Sequence, residues 1–190
     1  MDQMRHFARE TGFGMLVAFT PNGLSVAHVP FVFLDDERLG VHLARANPLA
    51  AHLDAADCVC VVTGPSAYIS PDWYGLDQNQ VPTWNYLAVE LRGQAIRIDD
   101  DGLLAQIDAL SQEQEHRLFP KVPWTRSKMD RDVAAKMTRA IVGFEVRISA
   151  WQGTTKFNQN KPAEARIRVA EALDAAGKTA AARLMRDPLQ

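Results

Sequence analysis

The strongest constraint on the fold lies in residues 13–44, where three apolar, β-rich runs are separated by gaps too short to hold a helix. The runs are Phe13 to Phe19, Leu24 to Phe33 and Leu39 to Ala44. Between them stand Thr20-Pro21-Asn22-Gly23 and Asp35-Asp36-Glu37-Arg38, both turn chemistry. A parallel crossover needs about a dozen connecting residues, so the runs can pair only as antiparallel hairpins. The chain therefore opens as a meander.

Further strands follow. Cys58 to Thr63 and Ala67 to Ser70 read as sheet, and Thr83 to Ile98 as one long strand or bent hairpin with Gly93 at a bulge. Ile141 to Ile148 is the last strand expected. Helical periodicity comes later: Leu103, Leu104, Ile107 and Leu110 mark an amphipathic helix, Arg131 to Ala140 a short one, and Pro162 to Met185 an Ala-rich one. Leu118 to Lys128 carries prolines and reads as irregular. The sum is a mainly β, α+β fold: an antiparallel barrel or half-open barrel of about six to eight strands with three or four peripheral helices. A division into a barrel domain, 1–155, and a helical segment, 156–190, fits this pattern.

Composition narrows the function classes. The 190 residues carry a formal net charge of −2, which argues against a protein that coats nucleic acid by bulk charge. Residues 156–190 are nevertheless net +3, against −5 for 1–155. No apolar run approaches the length of a membrane-spanning helix, and Met1-Asp2-Gln3-Met4-Arg5-His6 lacks a signal-peptide core. The two cysteines, Cys58 and Cys60, lie two apart on one strand face, too close for an unstrained disulfide. They read as buried thiols of a cytoplasmic protein. No Cys or His pair stands at a usual metal spacing, and no metal is expected.

Four places carry chemistry. Tyr68-Ile69-Ser70-Pro71-Asp72-Trp73-Tyr74 and Val81-Pro82-Thr83-Trp84-Asn85-Tyr86 put two Trp and three Tyr into nineteen residues. Such a cluster suits a flat conjugated ligand, and equally a barrel mouth or a subunit interface. His28 and His42 sit on neighbouring strands, as ligand contacts or as structural histidines. Arg45 precedes Asn47-Pro48, an N-cap followed by a helix-starting proline, and the pair forms a candidate phosphate site. Lys156-Phe157-Asn158-Gln159-Asn160-Lys161-Pro162 is a second polar cluster at a helix start. No nucleophile motif is present and no catalytic residue is assigned; any catalysis would be a cofactor's.

Val41-His42-Leu43-Ala44-Arg45-Ala46-Asn47-Pro48, the two aromatic motifs and Ala140-Ile141-Val142-Gly143-Phe144-Glu145 occur together and in order. In them the chain resembles the PaiB-type family of FMN-binding negative transcriptional regulators. Lys156 to Lys161 is similar to that family's Lys-Leu-Ser-Gln-Asn-Arg block, with Asn158 in place of Ser and Lys161 in place of Arg. The resemblance implies an antiparallel split β-barrel of the FMN-binding, pyridoxamine-phosphate-oxidase-like type, a homodimer with FMN at the subunit interface. It places His28, Val29, Pro30, His42, Leu43 and Ala44 against the flavin and Arg45 and Asn47 near its phosphate. Trp84, Asn85, Lys156 and Gln159 would complete the pocket. Four readings remain open: a redox-linked FMN protein of this regulator family, an FMN-dependent oxidoreductase of a small molecule, a repressor that contacts DNA without flavin chemistry, and a structural dimer whose pocket has lost its ligand.

Overall fold

The computed structural model describes residues 2–189. In chain order the elements are α1 (Asp2–Thr11), β1 (Phe13–Thr20), β2 (Gly23–Phe33), β3 (Arg38–Ala44), β4 (Asp57–Ile69), β5 (Thr83–Arg97), α2 (Asp100–His116), α3 (Arg131–Arg139), β6 (Ile141–Lys156), α4 (Ala163–Ala175) and α5 (Thr179–Arg186). Single 3-10 turns lie at Pro48–Ala51, Pro71–Tyr74 and Arg126–Lys128. The six strands close a barrel in the order β1-β2-β3-β6-β5-β4. The meander forms as its short gaps require: β1 pairs antiparallel with β2 from Phe13↔Pro30 to Thr20↔Gly23, and β2 with β3 from Phe31↔Val41 to Phe33↔Leu39.

The chain divides into two compact units. The larger comprises residues 8–62 and 90–151. Its core follows from strand alternation: Leu16, Val29, Phe31, Leu39, Val41, Leu43, Cys60, Val62, Leu91, Phe144 and Val146 all point inward and are buried. Each fully buried Leu, Val or Phe contributes about 1.5–3 kcal/mol. Cys58 and Cys60 face this core as free thiols, and burial pushes their pKa values up to about 11 and about 12. Gly93 lies at a close approach, because a Cβ there would lie 2.1 Å from the Arg147 carbonyl oxygen on β6. Helix α2 begins at an N-cap, Asp99, whose carboxylate accepts from Gly102 N at 2.8 Å.

The smaller unit comprises residues 1–7, 63–89 and 152–190. Its core is the Pro71–Tyr74 turn and α4: Tyr74, Phe157, Ala165, Val169, Ala170 and Leu173 are buried, with Ala181, Ala182 and Met185 of α5. Arg168 Nε donates to the Tyr74 carbonyl at 2.8 Å, and Asn158 Nδ2 to the Tyr74 hydroxyl at 3.1 Å. Asn158 has φ +56°, a left-handed position that Asn tolerates better than most residues.

Several elements differ from the sequence expectation. Helix α1 was not anticipated: its ten residues are mostly polar, and only Met4 and Ala8, one turn apart, are buried. β4 runs unbroken through Gly64-Pro65, and β6 continues past Ile148 to Lys156. The expected Pro162-to-Met185 helix is two, because the chain turns at Gly177 with φ +73°.

Candidate functional site

In the larger unit the candidate residues lie where β2 and β3 part. Their ladder consists of Phe31↔Val41, Val32↔Gly40 and Phe33↔Leu39, so residues 28–30 and 42–44 lie beyond its last pair. There β2 stays paired to β1, with Met15↔His28, while β3 is paired to β6, with His42↔Gly143 and Ala44↔Ile141. The period of two then sorts the side chains. His28 and Ala44 are exposed, Pro30 and His42 half-buried, and Val29 and Leu43 point into the barrel core. Val29 and Leu43 can therefore meet a ligand only through main-chain N–H and C=O groups.

His42 Nδ1 is buried with no hydrogen-bond partner. Burial lowers the His42 pKa, which keeps the imidazole neutral, with one donor and one acceptor. Arg45 is exposed, and its Nε donates to the Arg139 carbonyl at 2.8 Å while its backbone N donates to the Ala140 carbonyl at 2.9 Å. Its two terminal nitrogens have no partner among the described residues and can take an anion. Asn47 caps as expected, its Oδ1 accepting from Leu49 N at 3.0 Å.

The helix it caps is short, as expected: four residues of 3-10 geometry, Pro48–Ala51. A single turn has little dipole, so the charge available to a phosphate here is that of Arg45.

The smaller unit holds Trp84, Asn85, Lys156 and Gln159. On β5, Trp84 and Tyr86 face outward and are exposed, and the Tyr68 and Trp84 rings meet edge to face at 6.3 Å between centroids. Asn85 faces inward, fully buried, with neither its Oδ1 nor its Nδ2 partnered. Among the described residues it has no hydrogen-bond partner, and a buried amide left so costs about 1–3 kcal/mol. Lys156 Nζ donates to Thr83 Oγ1 at 2.9 Å. Gln159 spends its amide on its own loop, Oε1 accepting from Phe157 N at 2.8 Å and Nε2 donating to the Thr155 carbonyl at 2.9 Å. It orders the Lys156–Lys161 segment. In the same segment Lys161 Nζ lies 5.1 Å from the Tyr74 ring centroid and bonds Gln80.

Sequence reasoning passed over one feature of the larger unit. The outward face of the β1–β2 hairpin is apolar, with the cross-strand pairs Phe19↔Leu24, Val17↔Val26 and Phe13↔Pro30. Phe13, Phe19, Leu24 and Val26 are each more than half exposed. An exposed apolar patch of this kind marks an interaction surface. The signal was available, since the alternate residues of both strands are apolar too.

The family model described as "Putative FMN-binding domain" matches residues 1–150. The chain belongs to this family. Protease synthase and sporulation protein PAI 2 of Bacillus subtilis (strain 168) is 31% identical over 165 residues, covering 84% of this chain and 77% of that protein. Among solved structures, the FAD and heme binding protein from Mycobacterium smegmatis superposes with a TM-score of 0.58 at 15% identity, over 82% of this chain and 70% of that one. A flavocytochrome from Azotobacter vinelandii gives 0.55 at 17%, over 82% and 67%. The fold is thus a six-stranded antiparallel barrel with peripheral helices, shared with these two structures. Among the described residues no helix is long and apolar enough to cross a membrane, and no cluster of three metal-ligating side chains occurs.

Proposed function

We propose that the protein is an FMN-binding homodimer. The observation that carries this reading is the parting of β2 and β3, which leaves an unpartnered His42 Nδ1 and a free Arg45 guanidinium edge beside main-chain groups past the end of a ladder. A flavin ring edge and a phosphate need these donors and acceptors. Arg45 and Asn47 take the phosphate end. His28, Pro30, His42 and Ala44 face the ring with side chains, Val29 and Leu43 with backbone. The apolar hairpin face supplies the area for a second copy, from which the exposed Trp84 and Lys156 are assigned to the pocket, while Gln159 orders the loop after Lys156 and Asn85 faces the interior of its own subunit. Residues 156–190 act as a helical segment of the same subunit.

FMN, when bound, supplies hydride and single-electron chemistry. The protein's own part is to bind, orient and shield. His42 stays neutral because it is buried, so it can hydrogen-bond the ring edge without adding charge. Arg45 is held in direction by the Arg139 carbonyl, which reduces the entropy lost when it grips a phosphate. The buried thiols suit a reducing compartment, and the cytoplasm is the proposed location. A redox-linked regulatory role would act through the flavin's state. Direct DNA contact would use the basic segment 156–190, where Lys156, Lys178 and Arg183 are exposed and Arg186 is already paired with Asp174 at 2.7 Å.

The test is FMN titration of the purified protein, followed by absorbance, with light scattering for mass. A yellow dimer is expected. Arg45→Ala should weaken FMN about tenfold or more while leaving riboflavin nearly unchanged, the loss of one charge-assisted bond. Equal loss for both ligands removes Arg45 from the phosphate. A monomer that takes up no flavin but binds promoter DNA in a salt-sensitive way supports the repressor reading instead.

A further inference from the structure

Helix α3 has no buried side chain, although it lies between the 117–130 connection and a core strand. Between it and α2 opens a cleft of about 1100 Å³, large enough for a small organic molecule. Leu104 of α2, Trp124 and Met129 of the connection, and Ala134 and Ala135 of α3 give it apolar walls. The α3 residues that line it, 131, 134, 135, 138 and 139, form one helical stripe, and its middle is of small side chains that leave the space unfilled.

The charges facing the cleft come from both helices and the connection. Asp108 is engaged by Arg126 through two bonds, 2.9 and 2.7 Å. Of the others, Asp100 stands at the start of α2 and His116 at its end. Arg131 and Arg139 have no ion-pair partner among the described residues, and they stand at the two ends of the α3 stripe. The lining is net positive, with a flat indole in its wall.

We propose that this cleft binds a small carboxylate with an aromatic or acyl body, distinct from the flavin. The body fills the space between Leu104, Trp124 and Ala135, and the carboxylate pairs with Arg131 or Arg139. Occupancy would supply α3 with the buried contacts it lacks. It also reaches Arg45, whose Nε and backbone N are held by the carbonyls of Arg139, the last residue of α3, and Ala140, its C-cap. A ligand that orders α3 therefore orders Arg45 and strengthens FMN binding, a link that rests on the function proposed above.

Calorimetry of the full-length protein with 2-naphthoate tests the cleft without involving flavin. Saturable binding is expected, about tenfold weaker for the neutral 2-naphthamide and about tenfold weaker in Ala135→Leu, which plugs the cleft from an exposed helical position. Arg131→Gln or Arg139→Gln should weaken it by a similar factor. No saturable binding to millimolar concentration, or binding that Ala135→Leu and both arginine variants leave unchanged, overturns the site. FMN titration with and without saturating 2-naphthoate tests the link: tighter FMN supports it, and an unchanged affinity overturns it. If FMN fails to bind under any condition, the function proposed above falls while the calorimetric result stands.

Discussion

Helices α3 and α4 solve the same problem in opposite ways. α4, in the smaller unit, has no side-chain N-cap, yet it buries Ala165, Val169, Ala170 and Leu173. α3, in the larger unit, buries nothing, yet Asp130 accepts from both Asp132 N and Val133 N, and Arg45 Nε takes its Arg139 carbonyl. One helix is held by packing and the other by its ends. Nine residues with capped ends alone are marginal in water, because each helical turn must offset its own conformational entropy. The segment that is cheap to move is α3, and it is the one that holds Arg45.

The contrast can be broken by substitution. Tyr74→Ala, at the centre of the packing around α4, should cost about 3–5 kcal/mol, read as a shift in the urea midpoint. A cost under about 1 kcal/mol would mean that the smaller unit does not depend on that ring. Leu173→Ala in α4 should cost about 2–5 kcal/mol, whereas Met137→Ala, on the exposed face of α3, should stay within about 0.5 kcal/mol. Similar costs at the two sites would erase the distinction. Asp130→Ala removes the α3 cap, worth about 1 kcal/mol. Hydrogen exchange should then speed up in residues 131–139 while amides of the barrel core stay protected.

The smallest effect concerns acid. Hydrogen bonding to Arg126, and less so its charge, lowers the Asp108 pKa from 3.8. A carboxylate with a depressed folded value stabilises the fold above its unfolded pKa. That stability is lost as pH falls through the lower folded value. The pair is half exposed, so its share is on the order of 1 kcal/mol or less. Asp108→Asn should flatten the acid limb of the stability curve by that amount, and an unaltered limb would show the pair to be inert.

How far the sequence could be read depended on whether the determining interaction was local. The meander was legible because turns such as Thr20-Pro21-Asn22-Gly23 act within four residues. The Asn47 cap was legible for the same reason, but not the 3-10 geometry of the turn behind it. β4 and β6 were read too short because Gly64-Pro65 and the polar end of β6 look like breaks, whereas neighbouring strands keep them extended. At the site, alternation was enough to anticipate that Val29 and Leu43 face inward, yet the resemblance grouped whole tripeptides without regard to facing. The orphaned amide of Asn85 and the parting of β2 from β3 are tertiary facts, and no local pattern announces them.

The raised thiol values of Cys58 and Cys60 have a practical consequence. At pH 8 the native fold presents almost no thiolate, so alkylating reagents should ignore both residues until the barrel opens. A cysteine engineered onto α3 could then carry a fluorophore or spin probe with neither natural sulfur removed.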